Sequence, residues 1–177
     1  DINFHYIDFY DLISWRPMVG TNAYWIPDNI SSAKSFGADI YIRSNEIKGF
    51  ICSFSASYLK TENYDDSINK QHSGKMLIYT PKSSAFIKII KRSKKHTFYL
   101  TSKFVGERIY RYNWPLDNIL PSYSFGSLAY ETHLFNVNNF KIFSLINCEN
   151  IFDNKYQSVH GFPVPGRTYS ISITIKE

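Results

Sequence analysis

Residues 168–176 read Thr-Tyr-Ser-Ile-Ser-Ile-Thr-Ile-Lys. Tyr169, Ile171, Ile173 and Ile175 fall on one side of an extended chain, and Thr168, Ser170, Ser172, Thr174 and Lys176 on the other. Strict alternation is the mark of a strand whose two faces meet unlike surroundings. The same period recurs upstream. Residues 36–43 set Phe36, Ala38, Ile40 and Ile42 against Gly37, Asp39, Tyr41 and Arg43. Residues 50–58 set Phe50, Cys52, Phe54, Ala56 and Tyr58 against Ile51, Ser53, Ser55 and Ser57. Weaker alternation over 2–15, 84–92, 97–110, 122–135 and 139–150 completes eight predicted strands. In the segment 139–150, Phe143 and Leu145 fall on the otherwise polar face, and context decides the assignment. A 3.6-residue period is almost nowhere sustained.

Strand length adds to the alternation. Most of these segments run to about nine to fourteen residues. The mean strand of a soluble protein is about five to six, and a tilted membrane-crossing strand takes about nine to eleven. The connections are of two kinds, taken in turn. Short turns are predicted at 44–46, 93–95 and 136–138, and long loops at 16–32, 62–81, 111–121 and 151–166. All long loops at one end and all short turns at the other is the habit of an outer-membrane barrel, not of a soluble sandwich.

Composition sets the outer limits. The chain has 177 residues, 18% of them aromatic and only 20% charged, which argues against intrinsic disorder. No apolar run is long enough for a membrane-spanning helix, and a mean hydropathy of -0.29 does not exclude a membrane barrel, whose spans average out. Twenty basic against 15 acidic residues leave +5, and the scatter of those charges does not suggest a nucleic-acid partner. Cys52 and Cys148 cannot make a disulfide scaffold and lack metal-ligand spacing; small apolar residues on the lipid face are the expectation. The chain opens on Asp1, and a processed chain or a fragment is expected.

The stretch NIFDNKYQSVHGFPVPGRTYSISITIKE resembles the end of TonB-dependent outer-membrane receptors. There an Asn-Leu-Phe-Asp-x-x-Tyr stretch closes the penultimate strand and a Pro-Gly-Arg opens the last. Asn150, Phe152, Asp153, Tyr156, Pro165, Gly166, Arg167 and Tyr169 occupy those places, with Ile151 for the usual Leu. Upstream, DLISWRPMVGTNAYWIPDNISSAKSFGADIYI looks like the family's Trp-x-Pro-x-Asn loop and following Gly-x-Glu strand. Trp25, Pro27, Asn29, Ala33 and Gly37 carry the match, and Asp39 stands for the Glu. LIYTPKSSAFIKI and GERIYRYNWPLDNILPSY are smaller echoes, so the resemblance runs in order along the whole chain. The cobalamin- and siderophore-receptor-like branch is nearest.

The resemblance implies an all-β fold: an antiparallel transmembrane β-barrel, with residues 1–177 supplying about eight C-terminal strands of a larger barrel of the 22-strand type. Serines and threonines on the polar faces are too small to fill an eight-strand barrel and suit a wall facing water or a plug. The plug domain and the TonB box are expected to be absent from this chain. It further implies a Gram-negative outer-membrane location, active uptake of cobalamin, ferric siderophore, haem or similar small-molecule cargo, and no catalysis. Partners would be outer-membrane lipid, the missing N-terminal barrel and plug, and TonB only through that missing part. Where the family's last strand ends in an aromatic stands Glu177, a departure that bears on whether the chain inserts alone. The alternative is a soluble all-β binding module with an aromatic ligand face. Phe50, Phe54, Tyr169, Ile171 and Ile173 would then lie in a packed core.

No catalytic, cofactor-binding or metal-ligating residue is predicted. His5, His72, His96, His133 and His160 are far apart, and no base stands near Cys148. Glu62, Asn63, Asp65 and Asp66 lack the EF-hand spacing and read as an acidic surface loop. The cluster Lys88, Lys91, Arg92, Lys94 and Lys95 could contact nucleic acid or lipid headgroups; a solvated turn with lumen-facing lysines is the plainer reading. Tyr24, Trp25, Tyr110, Tyr112, Trp114 and Tyr123 are expected in an interfacial aromatic girdle. Tyr24, Tyr64, Tyr112 and Trp114 are the candidate cargo contacts.

Overall fold

The computed structural model describes residues 1–17, 25–64, 73–112 and 115–177, leaving aside the side chains of 12, 14–17, 25, 26 and 28–31. In chain order the strands are β1 (Ile2–Pro17), β2 (Trp25–Arg43), β3 (Phe50–Asn63), β4 (Ser83–Arg92), β5 (His96–Val105), β6 (Arg108–Arg111), β7 (Asn118–Leu120), β8 (Tyr123–Val137), β9 (Phe140–Glu149), β10 (Gln157–Val159), β11 (Phe162–Pro163) and β12 (Thr168–Lys176). Eight of them form one antiparallel meander in the order β1-β2-β3-β4-β5-β8-β9-β12. The pairs β6–β7 and β10–β11 are small hairpins on two of the long connections. Among the described residues no pairing joins β1 to β12, so the sheet is open.

Directly opposed residues of an antiparallel pair share a face, so the register fixes both faces of the sheet at once. One row runs Cys52, Ile89, Leu100, Leu128, Cys148, Tyr169 across six strands. The neighbouring polar row runs Arg43, Ser53, Lys88, Thr101, Ser127, Glu149, Thr168. Every apolar set of the sequence pattern falls on the face of the first row. That row begins near the short-turn end of β3 and finishes near the long-loop end of β12. A hydrogen-bonded row that climbs in this way is the stagger of tilted barrel strands.

The apolar face is uncovered among the described residues. Phe50, Phe54, Tyr169, Ile171 and Ile173 are 46%, 38%, 71%, 75% and 69% exposed, where a packed-core module would bury them. The buried apolar residues are Ala33, Ile51, Met76, Val105 and Leu120, mostly small or at the loop end. Burying one large apolar side chain is worth about 1.5–3 kcal/mol. A face of this extent left to water therefore forgoes more than the ~5–15 kcal/mol that holds a whole domain together. On β3 the band runs from Phe50 to Tyr58, about 27 Å along the strand at ~3.4 Å per residue. A barrel tilt shortens that to about 20 Å, near the ~25 Å apolar band of outer-membrane barrels.

Three expectations need correction. The loop predicted at 16–32 is largely ladder, since β1 and β2 stay paired as far as Pro17 and Trp25. Beyond the band both faces meet similar surroundings, so alternation fades while hydrogen bonding continues. The strand predicted over 97–110 stops at Val105. Gly106 comes so close to Ser83 that a Cβ would stand 2.7 Å from its Oγ and 2.9 Å from its carbonyl oxygen. The chain then leaves the sheet and pairs with itself as β6–β7. Finally, Lys91 does not face the polar side: it is opposed to Phe50 and Phe98 on the apolar face.

Gly37 is where the polar face demands the absence of a side chain. The imidazole of the cross-strand neighbour His5 lies over it, and a Cβ would collide with that ring and stand 2.9 Å from the Tyr58 carbonyl oxygen. The ring covers the glycine and brings His5 Nδ1 to 3.4 Å from Asp39 Oδ2. Gly37→Ala is expected to destabilise the sheet by about 1–3 kcal/mol through overpacking. Urea unfolding of the chain refolded in detergent should record a lower midpoint, and His5→Ala on the Gly37→Ala background should return part of the loss.

Candidate functional site

The described parts of the connections after β3, β5 and β9 leave the same end of the sheet and interlock there. Asn150 and Asp153 follow β9 with φ of 50° and 54°, a left-handed turn that Asn and Asp tolerate best after glycine. Asn150 is buried; its Nδ2 donates to the Asn154 and Pro165 carbonyls at 3.0 and 3.5 Å, and its Oδ1 accepts from Asn154 N at 3.1 Å. Asn154 Nδ2 donates to Ser124 O at 2.8 Å. Asp153 Oδ1 accepts the Arg167 backbone N–H at 2.8 Å and lies 2.7 Å from where a Cβ on Gly166 would sit. Ile151 and Phe152 fold back over Gly126 on the apolar face, a Cβ there lying 3.1–3.3 Å from their side chains. The motif around Asn150 is thus a staple that joins the end of β9 to the start of β12.

Tyr156 turns the other way. Its ring stacks on Tyr123 at 4.1 Å and lies 5.8 Å from Phe125, both on the polar face of β8. Arg108, buried in β6, places its guanidinium 4.9 Å from the Tyr123 ring centre. It donates through NH2 to the Gln157 and Ser158 carbonyls at 2.6 and 3.2 Å, so the β6–β7 hairpin is tied to the β10–β11 hairpin. Tyr110 stacks on His160 at 4.1 Å across the same junction. A second clamp joins the connection after β3 to that after β6. Tyr112 Oη donates to Met76 O at 2.7 Å, and Lys75 Nζ reaches Asp117 Oδ1 at 2.7 Å. Burial, and after it the Asp117 carboxylate, push the Tyr112 phenol up to about 12.

Tyr110, Tyr112 and Tyr123 therefore pack between loops or against the polar face, which corrects their assignment to a lipid-facing girdle. The aromatics that border the apolar face are others: Tyr6, Tyr58, Phe104 and Tyr169 toward the loops, Phe50, Phe98, Tyr130 and Phe135 toward the turns. Tyr64 gives its Oη to Glu62 Oε2 at 3.2 Å, with Lys34 Nζ 4.9 Å from its ring centre. Trp25, Pro27 and Asn29 lie in the outer reach of β2 opposite Pro17, Trp15 and Ile13, respectively. Pro27 is exposed, while the side chains of Trp25 and Asn29 fall outside the described residues, as do Tyr24, Asp65, Asp66, His72 and Trp114. Pro165, Arg167 and Tyr169 are exposed. Arg108, Gly126, Asn154 and the Lys75–Asp117 pair went unassigned in the sequence. Their signals were thin: one Arg in a loop echo, and one Gly in a strand otherwise filled by larger residues.

On the polar face, Tyr41, Arg43, Ser53, Ser55, Phe86 and Lys88 line an open recess of ≈ 280 Å³ toward the turns. Among the described residues no three of His, Cys, Asp and Glu gather as ligands for a metal ion.

No family model matches the chain, and no curated protein matches it. Solved structures do. The copper transporter OprC matches with a TM-score of 0.73 at 17% identity, covering 97% of this chain and 28% of its own. The ferric preacinetobactin receptor BauA of Acinetobacter baumannii matches with a TM-score of 0.72 at 14% identity, covering 98% and 26%. The ferric enterobactin receptor PfeA of Pseudomonas aeruginosa matches with a TM-score of 0.70 at 16% identity, covering 97% and 28%. The chain spans about a quarter of the length of these proteins. At such identities the likeness is one of fold: a large antiparallel sheet like that in the barrels of transport receptors.

Two outcomes follow for the loop clamps. The neutral Tyr112 phenol is favoured by the fold, so the stability it lends is intact below pH 10 and is lost as pH climbs through about 12. Limited proteolysis between β6 and β8 should accelerate over that window in the wild type. Tyr112→Phe should start more open, by about 1 kcal/mol for the lost hydrogen bond, and respond less to pH. Arg108→Ala strands two carbonyls and removes a ring contact, at a cost of about 2–3 kcal/mol. Hydrogen exchange should show the β10–β11 hairpin loosening first, with the β2–β3 ladder unchanged.

Proposed function

We propose that the chain is the C-terminal wall of a TonB-dependent outer-membrane transport receptor in a Gram-negative cell. The observation that carries this is the register: one staggered ladder puts an uncovered apolar face on one side, a serine-rich polar face on the other, and every long loop at one end. In this reading the apolar face meets outer-membrane lipid, and the polar face belongs to a water-filled or plugged lumen of a barrel of about 22 strands. The remaining barrel, the plug and the TonB-binding box would come from outside these residues, and TonB would act through them.

The cargo class that fits is cobalamin, a ferric siderophore, haem or a similar small molecule, captured by the loops without catalysis. The transport names of proteins sharing the fold support that class. The loop clamps would hold the capture surface in shape, with Tyr112 and Tyr64 positioning loops beside the candidate cargo contacts Tyr24 and Trp114. The soluble module gains no support from the apolar face, whose marker residues stay uncovered.

Membrane fractionation tests the reading directly. The polypeptide bearing these residues should remain in alkaline-washed outer membranes, run several times larger than 20.7 kDa, and be detected by an antibody to the loop 151–166. A carbonate-soluble band at 20.7 kDa would overturn the proposal. Face specificity gives the second arm. A lysine on the lipid side near mid-membrane costs about 2–4 kcal/mol in outer-membrane barrels, so Ile171→Lys should deplete the assembled protein strongly. Ser172→Lys, one residue away on the polar face, should assemble close to wild-type levels.

A further inference from the structure

The charge of the chain is not evenly placed. Within the short turns and the residues flanking them, 43–48, 91–96 and 136–141, stand seven cations: Arg43, Lys48, Lys91, Arg92, Lys94, Lys95 and Lys141. The one carboxylate there is Glu46, 3.8 Å from Arg92. Seven less one gives +6, against +5 for the whole chain, so the other stretches together carry about no net charge. The turn end is where the excess sits.

Part of this charge reaches the rim of the apolar face. Lys91 is opposed to Phe50 and Phe98 on that face. Its ammonium lies 4.0 Å from the Phe50 ring centre and donates to the Lys48 carbonyl at 2.6 Å, so the stem covers apolar surface while the charge is carried to the turn. Lys94 and Lys95 are exposed at the tip of the next turn. Beside them Tyr130 packs on Phe98 at 4.8 Å and shares its hydroxyl with His96 Nδ1 at 2.7 Å; Thr132 Oγ1 stands 3.1 Å from the same nitrogen. An aromatic shelf thus ends in hydroxyls, an imidazole and cations with no carboxylate among them. That is the order of groups met when passing from acyl chains to an anionic headgroup.

We infer that this rim, formed by Lys91, Lys94, Lys95, His96 and Tyr130, binds the phosphate headgroups of anionic phospholipids in the leaflet on the turn side of the membrane. The inference rests on the reading that the apolar face lies in lipid, and it adds a headgroup preference that an apolar face alone does not have. The opposite rim offers no such excess: Lys34, Lys60 and Glu62 are neighbours there, with Lys60 Nζ 2.7 Å from Glu62 Oε1, and Asp8 is opposed to Lys34.

The test reconstitutes the full-length polypeptide that bears these residues into phosphatidylcholine vesicles holding a tenth of phosphatidylglycerol, extracts it in mild detergent, and measures the headgroups that remain bound. Phosphatidylglycerol should be enriched several-fold over its share of the bilayer. Lys91→Gln/Lys94→Gln/Lys95→Gln should bring it back to about the bulk share, whereas the arginine triple variant at the same positions and Lys60→Gln/Lys82→Gln at the loop end should keep it. Circular dichroism of each variant checks that the sheet is retained. Enrichment at the bulk value in the wild type, or equal enrichment in the glutamine variant, overturns the headgroup site and leaves the membrane reading standing. A full-length polypeptide that fails to float with carbonate-washed vesicles of either composition overturns the membrane reading, and this inference with it.

Discussion

Backbone hydrogen bonding along the ladder from β1 to β12 is the constraint on which the other features depend. Side chains alternate strictly in an extended chain, so a slip of one residue between any two strands would carry an entire apolar set to the polar face. The register avoids this at every one of the seven pairings, and the result is two faces of opposite character with no core between them. Stability then cannot come from a packed interior of the usual kind. It must come from the ladder, from cross-strand neighbours such as Ser35 and Thr61, whose hydroxyls meet at 3.0 Å, and from whatever medium covers the apolar side.

The loops obey a different rule. Away from the band the chain has no continuous apolar face, and the loops are fastened by polar side chains to backbone carbonyls: Asn150 to Asn154 and Pro165, Arg108 to Gln157 and Ser158, Tyr112 to Met76. All but the local Asn150–Asn154 bond join segments that the chain order separates, by as many as 50 residues for Arg108. The consequence is that the described parts of the connections after β3, β5 and β9 are tied to one another rather than standing as independent hairpins. A ligand-capturing surface gains from such pre-organisation, because less ordering remains to be done when it binds.

The eight long strands were legible because alternation is written only where two faces meet unlike media. For the same reason the outer reaches of β2 and β3 were not: from Trp25 to Ser32, and from Leu59 to Asn63, the ladder continues without a pattern to announce it. The end of β5 at Val105 was hidden because a single glycine, Gly106, reads equally as a bulge, a kink or an ordinary strand residue. Tyr123 and Lys91 failed differently. The parity needed to place them was present, Tyr123 sharing a face with Phe125 and Ser127 and Lys91 with Ile89 and Ile87, but residue type outweighed parity, tyrosine suggesting a lipid interface and lysine a wet one. Of the loop cluster, Asn150 and Asp153 could be picked out as a motif, while their partners Asn154, Ser124 and Gly126 could not, since a staple is defined by contacts across strands.

The two edges set the last requirement. If the apolar face lies in lipid, the outward N–H and C=O groups of β1 and β12 lie there as well, and no water is present to satisfy them. They can be paired in two ways: with each other, closing an eight-strand barrel, or with further strands. Closure on eight strands needs an interior filled by side chains. Ser53, Ser55, Ser57, Ser127, Ser170 and Ser172 on the polar face leave much of that volume open beside Tyr41, Phe86 and Lys88, and the Tyr123–Tyr156–Phe125 stack with Arg108 beside it draws a loop onto the same face at its mouth. In the proposed reading the small residues of β3 and β12 suit the inner face of a wide barrel, which meets water or another folded domain. In that reading the open edges and the small residues of β3 and β12 are accounted for together, by pairing with strands beyond this sheet.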